Sequence, residues 1–477
     1  MGLIVQMACT GLICSLCGCM GIMFAWPSST LRLFESKATT LHRPMTESEL
    51  ALFGSLSSIG AMIGTPLLGL LLDRIGRKKS AILSALLGVT AWLLIAVNSR
   101  VEVLLTAVFI AGLSGSVFLV APVYVGEICQ ESIRGAMCSG TMVIYAVGML
   151  VSYLLGGHLE YNTMVYANLS LAAVLTALLV ILKESPTHLM AKGLEKEAAE
   201  SIAFYRSVKP DAKEVLEEIG VIRRALNPEM DDITPEEEKQ LKPQAEIKEK
   251  LSLLRFIKKS SSTRSAISLT LIIVTLSVFQ GLTVVQVYAE PLFEEAIPTM
   301  SPNLGSILLA VVGIVSGGIA AALTEYAGRR PLMIYSSFAT AASCLILGLQ
   351  LQFHWSPHWL VAVNMYFFTM MYSFGAATVP YVLLAEVFLP EVKSFLTMLV
   401  VEWTWACNSI ILFIFNPLLK AIGLGGVFYL FSGFSILTAV YSIFYLPETK
   451  GLTVDAIQNE LVKKKKKKNI ERKDGVY

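Results

Sequence analysis

The chain has 477 residues, of which 55% are hydrophobic and only 16% charged, with a formal net charge of +2 and a mean hydropathy of +0.64. Such a composition cannot wrap a polar surface around soluble domains. A balance this near neutrality also excludes nucleic acid as a main partner, because phosphate binding asks for a strong basic excess.

A bilayer core about 30 Å thick takes roughly 20 helical residues to cross. In chain order the apolar runs are 3 to 27, 50 to 72, 80 to 97, 101 to 127, 136 to 157 and 163 to 182, then 265 to 289, 303 to 325, 331 to 352, 358 to 386, 395 to 419 and 425 to 446. The first run lacks a basic leader and an A-x-A-like cleavage site, so it reads as a retained helix. Its CSLCGC stretch has metal-like spacing but no histidine beside it, and reads as small-residue packing rather than a ligand cluster. Between the two sets of spans, 183 to 264 is charged, with two amphipathic helical stretches at 192 to 206 and 211 to 226 and a capping box at Thr234, Pro235, Glu236 and Glu237. The tail carries a lysine run at 463 to 468, which reads either as a patch for anionic membrane lipid or as a solvated end.

Lys and Arg resist translocation. Of the 38 in the chain, most fall in the central loop and tail, none lies inside a span, and the short loops of one side hold Arg74, Arg77, Lys78, Lys79, Arg134, Arg329, Arg330 and Lys393. That side is therefore read as cytoplasmic, with both termini on it, in a multi-pass protein of the plasma membrane.

The chain also repeats itself. DRIGRKK at 73 pairs with EYAGRRP at 325, GEICQESIRG with AEVFLPEVKS, and ESPTHL with PETKGL, each pair about 260 residues apart. Two six-helix halves in the same orientation are the simplest cause. The expected architecture is an all-α membrane protein of twelve helices in two parallel halves, 1 to 182 and 265 to 446, with cytosolic helices in 183 to 264 and a tail at 447 to 477. Solute sites in such proteins lie between the halves near the midplane.

Acids at the cytoplasmic span ends stand in fixed register with bases. A carboxylate at the edge of the hydrocarbon is costly unless paired, so Asp73, Arg77, Glu127 and Arg134 are expected to form one cross-helix network, and Glu325, Arg329, Glu386 and Lys393 another. They read as a gate, the alternative being mere anchoring of span ends.

These residues resemble the sugar porters of the major facilitator superfamily, and within it most closely the insect facilitated trehalose transporter-like proteins. The resemblance rests on Gly69 to Arg77 (GLLLDRIGR), PVYVGEI with Arg134 and Gly135, Glu184-Ser185-Pro186, and Pro447-Glu448-Thr449-Lys450-Gly451. It implies a monomer without cofactor or metal, moving a small sugar or polyol. The family's seventh helix carries Q-Q-x-x-G-x-N, but this chain has Ser277, Val278 and Thr283 at those places. Met142 replaces a glutamine of the fifth helix, and GAATVPY at 375 to 381 departs from the tenth-helix pattern, with Tyr381 for its tryptophan.

The substrate-binding candidates are Gln280, Thr283, Gln286, Ser373, Thr404, Trp405 and Asn408. At about 100° per residue, Gln280, Thr283 and Gln286 share one sector of the seventh helix, which reads as lining the cavity between halves, the alternative being contact with a neighbouring helix. Glu402 is an acid well within a span, on one face with Trp405 and Ser409. Three readings compete for it: a neutral buried carboxyl, a structural hydrogen bond, or a proton-coupling or cation site. The absence of an acid from span 3 to 27 favours facilitated diffusion, as proton-coupled members keep one there.

Enzyme chemistry finds no support. The five histidines are scattered, and neither G-x-S-x-G nor a Walker-type loop is present. Two rival functions remain: transport of another small solute, such as an organic cation or other metabolite, with or without proton coupling through Glu402, and non-transporting nutrient sensing.

Overall fold

A computed structural model describes residues 2–226, 260–388, 390–452 and 456–457. The capping box at 234 to 237 and the lysine run lie outside the described residues. Because no backbone polar group can be left open in lipid, the apolar runs all become helices. The first half holds α1 (Gly2–Glu35), α2 (Glu47–Ile75), α3 (Arg77–Val97), α4 (Val101–Leu113) continued through a short 3-10 turn into α5 (Val117–Ile128), α6 (Glu131–His158) and α7 (Tyr161–Leu179). Three short helices follow, α8 (Pro186–Ala191), α9 (Glu195–Arg206) and α10 (Lys213–Leu226). The second half holds α11 (Ser261–Val278), α12 (Leu282–Val287), α13 (Ala289–Ala296), α14 (Pro302–Ala327), α15 (Arg329–Phe353), α16 (His358–Phe374), α17 (Val379–Glu386) and α18 (Pro390–Tyr445).

Among the described residues 11 helical stretches are long and apolar enough to cross a membrane. The last, Phe395–Tyr445, counts twice: its 51 residues exceed by far the roughly 20 that one crossing takes, and the helix turns at Gly423, where φ is 71°. The fold is thus twelve crossings in two six-helix halves.

Packing inside the first half is set by small residues and one aromatic cluster. Gly18 and Gly21 of α1 let the backbone of α6 at Ile144, Tyr145 and Gly148 come into direct contact. Trp26, fully buried, is ringed by Phe34, Phe53, Trp92 and Tyr161 with centroids 5.3 to 6.5 Å away. Cys9, Cys14 and Cys17 are buried against Val117 and Val120 of α5.

The helices after the sixth span dock on this half. Ile202 and Ala203 of α9 pack against Val215 and Ile219 of α10, and Arg206 joins Glu218 at 2.6 Å while donating to the Ile128 carbonyl at 2.8 Å.

Candidate functional site

The seventh crossing is not one helix. Gly281 has φ 95°, a left-handed value that glycine adopts without the clash a Cβ incurs, and it separates α11 from α12. The angular argument that put Gln280, Thr283 and Gln286 in one sector assumed a continuous helix, and the break cancels it. Gln280 is fully buried inside the second half, where its Nε2 donates to Thr438 Oγ1 at 2.9 Å. Of the two readings of this side chain, contact with a neighbouring helix describes its placement. Gln286 is half-buried, and its carbonyl accepts from Tyr153 Oη at 2.6 Å.

Thr283 and Asn408 do meet, through a 2.9 Å bond from Thr283 Oγ1 to Asn408 Oδ1. The Ser373 and Thr404 hydroxyls turn instead onto their own helices, donating to the Thr369 and Val400 carbonyls at 2.8 Å. Trp405 reaches across to the first half, its ring centroid 6.0 Å from that of Phe118. Glu402 is half-buried one turn away. The Glu402 Oε1 and Trp405 Nε1 atoms are both buried and have no hydrogen-bond partner among the described residues.

At the face that carries the ends of both halves stand two matching charge clusters. Arg77 holds Glu127 with a two-pronged bond, Nε and Nη2 each at 2.9 Å, and its Nη1 reaches Asp73 at 3.2 Å and donates to His188 Nδ1 at 3.2 Å. Burial holds the His188 imidazole below its ordinary pKa, so that it accepts this bond as a neutral ring. Glu184 Oε1 takes the backbone N–H groups of Arg77 and Lys78 at 2.7 and 3.0 Å, and Ser185 donates to Glu127. The second half repeats the plan. Arg329 Nη2 holds Glu386 at 2.6 Å, Glu448 takes the N–H groups of Arg329 and Arg330 at 3.0 and 3.1 Å, and Thr449 Oγ1 donates to Glu386 at 2.5 Å. In both, a carboxylate sits on the N-terminus of a spanning helix, where free N–H groups and the helix dipole favour negative charge.

Membership of these clusters differs from the expectation. Arg134 and Glu325 are exposed and form no ion pair among the described residues, since at the solvated end of a helix water replaces the partner that burial would demand. Lys393 is half-buried near the start of α18. Each cluster also stays within one half, tying neighbouring helices together. Glu184, Ser185, Glu448 and Thr449 were missed as members, although ESPTHL and PETKGL already stood out as a repeat. A motif says that a residue recurs, while its partner 107 or 119 positions away appears only once the helices are packed.

Glu448 gives these clusters a pH dependence. Burial pushes its carboxyl upward, but the N–H groups of Lys450, Arg329, Arg330 and Thr449 outweigh burial and hold it below the ordinary carboxylate value. A carboxylate so depressed stabilises the fold above its ordinary pKa, and that contribution is lost as pH falls through the depressed value. The melting temperature of the full chain in detergent should therefore fall on acidification below about pH 4.5, and Glu448→Gln should flatten that limb of the curve.

Polar bonds between the halves gather at the opposite face. Besides the Tyr153 bond, Asn303 Nδ2 donates to the Tyr153 carbonyl at 2.6 Å, Ser28 Oγ accepts from the Glu290 N–H at 2.9 Å, and ion pairs join Arg32 to Glu294 at 3.2 Å and Lys420 to Glu47 at 2.5 Å. The halves are therefore joined by polar bonds at one face, while each charge cluster at the other braces a single half.

A two-half bundle of this kind, with paired basic clusters at one face and polar groups around a broken seventh helix, defines a major facilitator transporter. The chain matches the family profile "Sugar (and other) transporter" over residues 13–461, and it belongs to that family. It is 31% identical over 422 residues to the sugar transporter ERD6-like 16 of Arabidopsis thaliana, covering 86% of this chain and 82% of that one. It is 24% identical over 424 residues to the facilitated trehalose transporter Tret1 of Bombyx mori, covering 87% and 80%. Among solved structures, the inward open conformation of the xylose transporter XylE from E. coli superposes with a TM-score of 0.75 at 19% identity, over 94% of this chain and 98% of that one. The relatives are transporters, and the chain is a membrane transport protein rather than an enzyme.

Proposed function

We propose that the chain carries a sugar or related polyol down its gradient across the plasma membrane by alternating access, with both termini in the cytoplasm. The observation that carries this reading is the asymmetry of the two faces. Polar bonds join the halves at the face away from the chain ends, while the clusters at the other face lie inside single halves, so rocking one half against the other can transfer the seal without dismantling either half. Trp405 offers an aromatic face for the apolar side of a sugar ring, and the bonded pair Thr283 and Asn408 brings polar groups one turn further along the same helix.

Counterflow in proteoliposomes tests the proposal. Exchange of at least one of trehalose, glucose or a polyol is expected, and well-folded protein that exchanges none overturns it.

The seal itself can be weighed. Tyr153→Phe removes the hydroxyl bond to the Gln286 carbonyl, worth about 1 kcal/mol, and should shift the population about fivefold toward the state open at that face. Spin labels at the exposed Lys37 and Thr299, one in each half, report the shift as a longer distance; an unchanged distribution means that the bond does not hold the seal.

A further inference from the structure

We propose that Glu402, Trp405 and Phe118 form a subsite for a protonated amine, so that the preferred solute is an aminated sugar or polyol; this rests on the transport reading above. On α18 Trp405 faces the first half, where it meets Phe118 at 6.0 Å. Residues three apart on a helix share a face and are offset by about 4.5 Å along it. Glu402 therefore lies on the same border between halves, one turn nearer the face of the charge clusters.

Among the described residues none supplies Glu402 with a cation. It forms no ion pair among them, with Oε1 buried and unbonded. A carboxylate in such surroundings is costly unless its charge is compensated. A solute hydroxyl donates one hydrogen bond and leaves the charge, whereas an ammonium group offers three donors, no acceptor, and the cancelling charge. The neighbouring rings suit the same group, since a cation within about 6 Å of an indole face is attracted by the ring quadrupole.

The remaining polar groups ask for hydroxyl acceptors beside the amine. Thr283 and Asn408 spend their bond on each other, Gln280 is bonded to Thr438, and Met142 brings no amide. The buried N–H of Trp405 is left to donate to one solute hydroxyl oxygen. A molecule that carries both an amine and hydroxyls satisfies the carboxylate and the indole together.

Binding of glucosamine and glucose to the full chain in detergent, by titration calorimetry at neutral pH, decides the matter, with counterflow of both in parallel. A charge-assisted contact predicts about tenfold tighter binding of glucosamine. That ratio should fall to about one in Glu402→Gln and return in part in Glu402→Asp, with the melting temperature of each variant confirming that it is folded. Equal affinities in the unmodified protein, or a preference that survives Glu402→Gln, overturns the subsite while leaving sugar transport standing. Glucose binding that tightens as pH falls, and loses this in Glu402→Gln, marks a proton site and likewise overturns it. Binding and exchange of neither sugar overturns the subsite, and the transport reading falls with it only if trehalose and polyols are not exchanged either.

Discussion

Arg77→Ala should reduce counterflow at least tenfold and destabilise the protein by about 2–3 kcal/mol, the cost of removing one partner from a largely buried ion pair. Side chains in this pair are only 13% and 17% exposed, so little solvent is at hand to replace the lost guanidinium. The substitution strips Glu127 of both of its Arg77 bonds and His188 and Asp73 of theirs, while leaving the backbone capping by Glu184 in place. Arg77→Lys should fall between, because an ammonium keeps the charge but cannot span both carboxylate oxygens as the planar fork does. Lys79, exposed two positions on, is the control: Lys79→Ala should stay within about 0.5 kcal/mol. The comparison is read from thermal melting in detergent and initial counterflow rates, and an Arg77→Ala protein as stable and active as the Lys79→Ala one refutes the role given to the cluster.

Gly148→Val is expected to lose most folded protein, by about 3 kcal/mol or more. A Cβ at Gly148 would fall within the backbone of Gly18, and backbone cannot swing aside as a side chain tip can. In lipid the association of helices depends on such close approach, since burial of apolar groups alone offers no gain over acyl chains. Gly313 has open space around its would-be Cβ, so Gly313→Ala should leave monodisperse yield and melting temperature unchanged. Equal yields of the two variants would show that the α1 and α6 contact is not what holds the first half.

Much of the fold was legible in the chain. Arg77 and Glu127, or Arg329 and Glu386, could be paired in advance because acids beside lipid must find cations and the repeat offered the same partners twice. Glu402 stood out for the same reason, as a charge where none is expected. Gln280 escapes a reading by helical angle because Gly281 reads as one more small residue in an apolar run, with no turn motif to announce its positive φ; a Cβ there would also meet the Phe431 ring. Arg134 and Glu325 were placed by spacing alone, which carries no information on which way a side chain leaves the helix end.

By itself, the amino-acid order determined the solvent, the number and length of the crossings, the duplication and the side that carries the basic loops. Each of these follows from local quantities: about twenty apolar residues per crossing, and the cost of moving Lys and Arg across a bilayer. Only the tertiary structure decided that Gln280 points to Thr438, that Glu184 and Glu448 cap helices more than a hundred residues away, that the bonds between halves cluster at one face, and that Glu402 Oε1 finds no partner among the described residues. Those depend on where helices distant in the chain come to lie, because a hydrogen bond is made or lost over a fraction of an ångström.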